Sequence, residues 1–180
     1  MLRIFIGGLS TLPPDGTPTG IFKRERMEPV RLGSEGLEGD AQADRRVHGG
    51  PEKALHQYPV AHYARLAAAF PEAAPLLVPG GMGENLSVPG WDESNVCIGD
   101  IFRFGGARIQ VSMPRKPCWK IDRRFGAEGM AMKDFIAEEG LTGWYFRVLE
   151  EGMVAPGCVF ELLERPSPGI TALSSFRARR

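Results

Sequence analysis

The chain predicts a β-rich α+β fold, a mainly antiparallel barrel with a few peripheral helices. Three observations carry that expectation. Glycine and proline supply 23 and 15 of 180 residues, well above the usual ~12% together, and they are spread along the chain as turn signals. Apolar residues alternate with polar ones in several short runs, the period of a half-buried strand. A hydrophobic fraction of 43% with 24% charged residues is enough to build a core of ordinary size.

The elements follow in order. Residues 2–9 (LRIFIGGL) read as a buried strand closed by Gly7-Gly8. Residues 11–20 are a Pro/Gly-rich excursion. Residues 20–32 read as an extended hairpin interrupted near Glu28-Pro29. A long irregular stretch then runs to Lys53, and loops of that length in compact domains commonly carry function. Residues 53–58 alternate as a strand, and Pro59 opens a helix running to about Phe70. After a second glycine-rich loop, Phe102 and Phe104 alternate before Gly105-Gly106, and Ile109, Val111 and Met113 after it. That is a hairpin with a primed turn. Residues 129–139 predict a short helix stopped by Gly140, and 143–163 two further strands about a turn at Gly152. Residues 1–166 form one domain, and 167–180 a tail or a truncated C-terminal helical appendage.

Charge and cysteine usage narrow the function. The 22 basic and 22 acidic side chains cancel, whereas a nucleic-acid binder usually carries a strong basic excess. No apolar run is long enough to span a bilayer, and the N-terminus lacks the pattern of a secretory signal. Neither a nucleic-acid nor a membrane partner is expected. The three cysteines, Cys97, Cys118 and Cys158, fit neither a disulfide framework nor a zinc motif. A reduced cytoplasmic protein is the expectation.

Cys118 is the sharpest candidate. In Pro114-Arg115-Lys116-Pro117-Cys118-Trp119-Lys120, nearby cations favour the thiolate, the form that attacks or ligates metal. Its structural alternative is a buried thiol beside Trp119. Cys97 and Cys158 read as core residues of strands. In the run from Gly39 to Lys53, Gly49-Gly50 can converge backbone N–H groups on an anion. Arg45, Arg46, His48 and Lys53 can add charge there, although a solvated turn is the commoner outcome. Gly80-Gly81-Met82-Gly83 permits close ligand approach, with Asn85 offering a donor and an acceptor. His56 and His62 are assigned structural or surface roles.

Taken together, GLEGDAQADRRVHGGPEKALHQYPVAHY (36–63), GGMGENLSV (80–88), CIGDIFRFGGARIQVSMPRKPCWKID (97–122) and GWYFRVLEEGMVAPGCVFELLERP (143–166) resemble the MOSC domain family, and within it the YiiM-like group. The resemblance implies a MOSC-type β-barrel and a molybdenum cofactor, a pterin dithiolene bearing a phosphate. It implies that Cys118 is the catalytic residue and the metal ligand, and that His48, Gly49, Gly50, Lys53, Asn85 and Arg115 bind the cofactor. It implies reduction of N-hydroxylated small molecules such as hydroxylamino-purine base analogues, with electrons from an external reductase. The alternative is a non-catalytic module that carries the cofactor or sulfur. A barrel in which Cys118 is purely structural is the third reading.

Overall fold

The computed structural model describes residues 1–126 and 131–179. Strands β1 (Arg3–Ile6), β2 (Ser10–Leu12), β3 (Thr17–Thr19), β4 (Arg24–Arg26), β5 (Val30–Gly33) and β6 (Gly36–Leu37) come first. Helix α1 (Arg45–His48) and a 3-10 turn (Pro51–Lys53) lead to β7 (Leu55–Gln57) and helix α2 (Ala61–Ala69). A second 3-10 turn (Pro71–Leu76) precedes β8 (Leu86–Ser87), β9 (Ile101–Phe104) and β10 (Ala107–Pro114). Helices α3 (Lys120–Arg124) and α4 (Met132–Glu139) follow, then β11 (Trp144–Glu150), β12 (Gly152–Val154), β13 (Phe160–Glu164) and α5 (Ala172–Arg177).

Eight strands form a curled half-barrel in the order β13-β9-β10-β11-β7-β8-β1-β4. The hairpin about Gly105-Gly106 is β9–β10, paired Ala107 to Phe104. The sheet is mixed rather than wholly antiparallel, because β7 and β8 run parallel through Gln57 and Leu86. Parallel neighbours need a crossover connection, and α2 with its 3-10 turn supplies it. The expected hairpin over 20–32 does not form. β4 pairs with β1, whereas β5 pairs with β12 and β6 in a separate three-stranded sheet. The break at Glu28-Pro29 thus sends the chain from one sheet to the other. Gly152, expected in a turn between two strands, starts the additional strand β12.

Two hydrophobic bodies result. The larger gathers Ile4, Leu55, Phe102, Phe104, Val111 and Phe146 from the main sheet with Val30, Leu32 and Val154 from the small one. Alternation along β10 explains its share, since Ala107, Ile109 and Val111 point inward. The second body gathers Tyr63, Leu66 and Phe70 of α2, Ile121 of α3, Ile136 of α4, and Met82 of the glycine-rich loop. Gly140 ends α4 with φ +72, a left-handed cap. The first two residues of the helix expected over 129–139 lie outside the described residues. At the chain's end, Arg165 donates to both oxygens of the fully buried Asp100 at 2.9 and 2.7 Å. Ala172 and Phe176 of α5 are buried.

Candidate functional site

A cleft opens where segments from the main sheet meet the loops that lead into the helical body. It is lined by residues 19–23, 40–44, 82–85 and 115–120 and by His48, Lys53, His56 and Tyr145, with gaps within those ranges. It encloses about 590 Å³, its open mouth included. Glycine lets the walls approach. A Cβ on Gly20 would stand 2.2 Å from the Ala41 carbonyl oxygen, so residues 40–44 pass against 19–21 only with glycine there. Gly83, at φ +76, sits against Ile21.

Buried polar groups hold the frame. Glu84 is fully buried and accepts from the Tyr63 hydroxyl at 2.6 Å, from Gly80 N at 2.7 Å and from Met82 N at 3.1 Å. These bonds fold the glycine-rich loop about one carboxyl group. Burial raises the Glu84 pKa despite those donors. On the opposite side Lys23 and Asp40 form an ion pair, 2.6 Å from Nζ to Oδ2, with side chains 4% and 1% exposed. Asp40 also accepts from Gly7 N at 2.9 Å and from Asn85 Nδ2 at 2.8 Å. Burial lowers the Lys23 pKa, and the adjacent Asp40 opposes that.

The expected site residues fall into two groups. His48, Lys53, Asn85, Arg115 and Cys118 line the cleft, and Gly49 and Gly50 do not. The glycines form the turn between α1 and the 3-10 turn, where the Gly50 carbonyl accepts from Lys53 N at 2.9 Å. Asn85 has its amide committed. Its oxygen accepts from His56 N, and its nitrogen donates to the Phe5 carbonyl and to Asp40. Cys118 is a free, half-buried thiol in the turn before α3. Cys97 is buried on its bridge to Thr171, and Cys158 is half-buried beside the β9–β10 turn.

The electrostatics are lopsided. Four cations line the cleft, Lys23, Lys53, Arg115 and Lys120, against two carboxylates, Asp40 and Asp44. Asp40 is taken by Lys23, and Asp44 caps α1 by accepting from Arg46 N and Val47 N. Lys53 donates to the Val47 carbonyl and Lys120 to the Pro18 carbonyl. Arg115 is only 6% exposed, and no carboxylate pairs with it among the described residues. Burial raises the Tyr145 pKa, and the nearby Arg115 charge opposes that at the Tyr145 hydroxyl. That hydroxyl stands 3.1 Å from His48 Nδ1. Burial, then the charges of Arg115, Lys53 and Lys120, push the His48 pKa down to about 4, so the ring is neutral near pH 7. Burial, followed by Arg115, pushes His56 well below its ordinary value, and His56 Nε2 has no hydrogen-bond partner among the described residues.

Lys23, His56, Lys120 and Tyr145 belong to the cleft without having been singled out as ligands in the sequence. Lys23 lies in a run that reads as an extended hairpin, and Tyr145 reads as one more residue of a strand. Asp40 lies inside the glycine-rich segment that was singled out, which is the one local signal for it.

The family profile of the MOSC domain matches residues 44–161, a span that holds Cys118, Arg115, His48, His56 and Tyr145 and excludes Lys23 and Asp40. The uncharacterized protein YflK of Bacillus subtilis is 46% identical over 177 residues, covering 95% of this chain and 76% of that protein. Protein YiiM of Escherichia coli is 45% identical over 154 residues, covering 86% and 68%. A protein of Gibberella moniliformis named a reductase is 39% identical over 163 residues, which are 90% of this chain and 28% of that protein. The crystal structure of Escherichia coli YiiM superposes with a TM-score of 0.76 over 98% of this chain and 76% of its own. That of Geobacillus stearothermophilus YiiM gives 0.80 over 99% and 84%. No helix among the described residues is long and apolar enough to cross a membrane. On the family profile and the extent of these matches, the chain belongs to the MOSC domain family.

Proposed function

We propose that the cleft holds a molybdenum cofactor and that the protein is a reductase of N-hydroxylated compounds, hydroxylamino-purines among them. MOSC domains are associated with that cofactor, and one relative is named a reductase. The observation that carries the reading is Arg115. A guanidinium buried without a counter-ion is costly, and it is retained where an anion completes the site. The same cleft presents a free thiol, and a soft sulfur donor suits a metal already held by sulfur. The donor set therefore fits a phosphate-bearing metal dithiolene.

Within this reading each residue has a task. The Cys118 sulfur ligates the metal. Arg115 and Lys53 hold the phosphate, and Lys120 adds charge at the mouth. Neutral His48, oriented by the Tyr145 hydroxyl, offers a ring nitrogen to cofactor or substrate. Asn85 acts as a positioning residue by fixing Asp40 and the start of β7. Gly49-Gly50 sets the turn that carries Lys53. The bound cofactor supplies two-electron redox chemistry at molybdenum. The balanced reaction is R–NHOH + 2H⁺ + 2e⁻ → R–NH₂ + H₂O, with the electrons delivered by a separate reductase protein.

The test is molybdenum content after production in a host with the cofactor pathway active, for the wild type beside Cys118→Ser. Molybdenum in the wild type and its loss in the variant are expected, together with reduction of an N-hydroxylated purine when an electron donor is supplied. Equal metal in both proteins removes Cys118 as ligand. Cys118-dependent metal without turnover across substrates and donors makes the protein a cofactor carrier.

A further inference from the structure

The segment 114–118 has two faces, and the proposed function uses only one. Arg115 and Cys118 face the cleft, whereas Pro114, Lys116 and Pro117 line a second, wider groove. His48, Lys53 and Tyr145 belong to the lining of both and so form the wall between them. The groove runs between the end of β10, helix α4 and helix α5, and encloses about 1370 Å³ with its open side. Pro114, Pro117 and Phe176 are buried apolar residues of its floor, with Met113 half-exposed beside them. Lys116, Lys133 and Arg179 stand around it. Its one carboxylate, Asp134, lies 3.1 Å from Lys133 Nζ. Lys116 and Arg179 have no ion-pair partner among the described residues.

Apolar floor residues beside spare cations are complementary to a ligand with a ring at one end and a phosphate at the other. We infer that this groove binds a nucleoside monophosphate, its base over Met113, Pro114 and Pro117 and its phosphate among Lys116, Lys133 and Arg179. The shared wall directs the base end toward His48 and the cleft. The choice of a purine rests on the proposed function, and the phosphate subsite does not. Two sources present this chemistry: a free nucleotide carrying the N-hydroxylated base, or the nucleotide of an extended cofactor.

Calorimetry on cofactor-free protein tests the groove, with AMP, adenosine and inorganic phosphate as probes. AMP is expected to bind roughly tenfold more tightly than adenosine, as a charge-assisted phosphate contact would give. Lys116→Glu and Lys133→Glu, each at exposed or half-exposed positions and checked for folding by circular dichroism, should each weaken AMP roughly tenfold and leave adenosine unchanged. Cys118→Ser should bind AMP as the wild type does, whatever its molybdenum content, which separates this inference from the reductase reading. AMP and adenosine binding alike, AMP binding insensitive to both lysine variants, or its loss in Cys118→Ser would overturn the groove site. Nucleotide released on denaturing the molybdenum-loaded protein tells the sources apart. One nucleotide per metal assigns the groove to the cofactor, and none assigns it to substrate.

Discussion

The outer surface and the cleft treat positive charge in opposite ways. Outside, arginines stand in pairs with carboxylates, as in Arg3–Glu25, Arg31–Glu151 and Arg65–Glu139 at 2.6 Å and Arg108–Glu150 at 2.7 Å. Inside the cleft, Lys53 and Lys120 rest on backbone carbonyls and Arg115 has no acidic partner among the described residues. A chain of zero net charge therefore carries a local positive field where its free thiol lies. The surface pairs sit in water and contribute little. The cleft cations are partly stripped of water and have more to gain from an anionic ligand. The contrast is a physical ground for proposing an anion site in the cleft, without recourse to any relative.

Removing the buried, paired carboxylate of the cleft should have the largest effect. Asp40→Ala strands the Lys23 ammonium, Gly7 N and the Asn85 amide at once. Urea unfolding should show a loss of about 3–5 kcal/mol, the range for breaking a buried pair from one side. A loss below ~1 kcal/mol would mean that water reaches Lys23 and that the cleft is no different from the surface.

The second effect is a pH dependence. The folded His48 pKa lies near 4 against 6.5 ordinarily, because of burial and then the Arg115, Lys53 and Lys120 charges, with Asp44 opposing. Between those values the unfolded chain binds a proton that the folded one refuses. Stability is therefore full above pH 6.5 and falls as pH drops toward 4. The loss should be about 2 kcal/mol once solvent screening of a half-buried ring is allowed for. His48→Gln should flatten that part of the profile. An unchanged slope in the variant would show that His48 ionises as freely as an exposed histidine.

How much of this was legible depends on how far apart the partners lie in the chain. Cys118 and Arg115 stood out because cations and prolines crowd within seven residues. The β9–β10 hairpin stood out because alternation and its turn are both local. The pairing of Lys23 with Asp40 spans 17 residues, and the approach of Tyr145 to His48 spans 97. Neither leaves a periodic trace. The sheet exchange at Glu28-Pro29 was missed for the same reason, since β5 finds β12 more than a hundred residues onward. Asn85 shows the converse. Its residue type and its glycine-rich setting matched a ligand, yet its amide is spent within the frame.

Arg115 allows a sharper test, because function and stability should part there. Arg115→Met removes a buried charge that has no counter-ion among the described residues and keeps much of its apolar stem. Thermal unfolding of the cofactor-free variant should show stability unchanged or raised by about 1 kcal/mol, while molybdenum retention falls. A destabilisation of several kcal/mol would mean that Arg115 serves the fold through Tyr145, and the anion argument would lose its main support.

The smallest expected effect calibrates the others. Arg65 and Glu139 tie α2 to α4 at 2.6 Å, with side chains 51% and 44% exposed. The pair is as short as the Lys23–Asp40 contact, so distance alone would rank the two equal. Solvent decides otherwise. Water screens the exposed charges, and holding two long side chains in one geometry costs rotamer entropy that the attraction barely offsets. Arg65→Ala should shift unfolding by no more than about 0.5 kcal/mol, less still in high salt. If it matched Asp40→Ala, burial would not be what separates the cleft from the surface, and the unpaired guanidinium would lose its meaning as the sign of a missing anion.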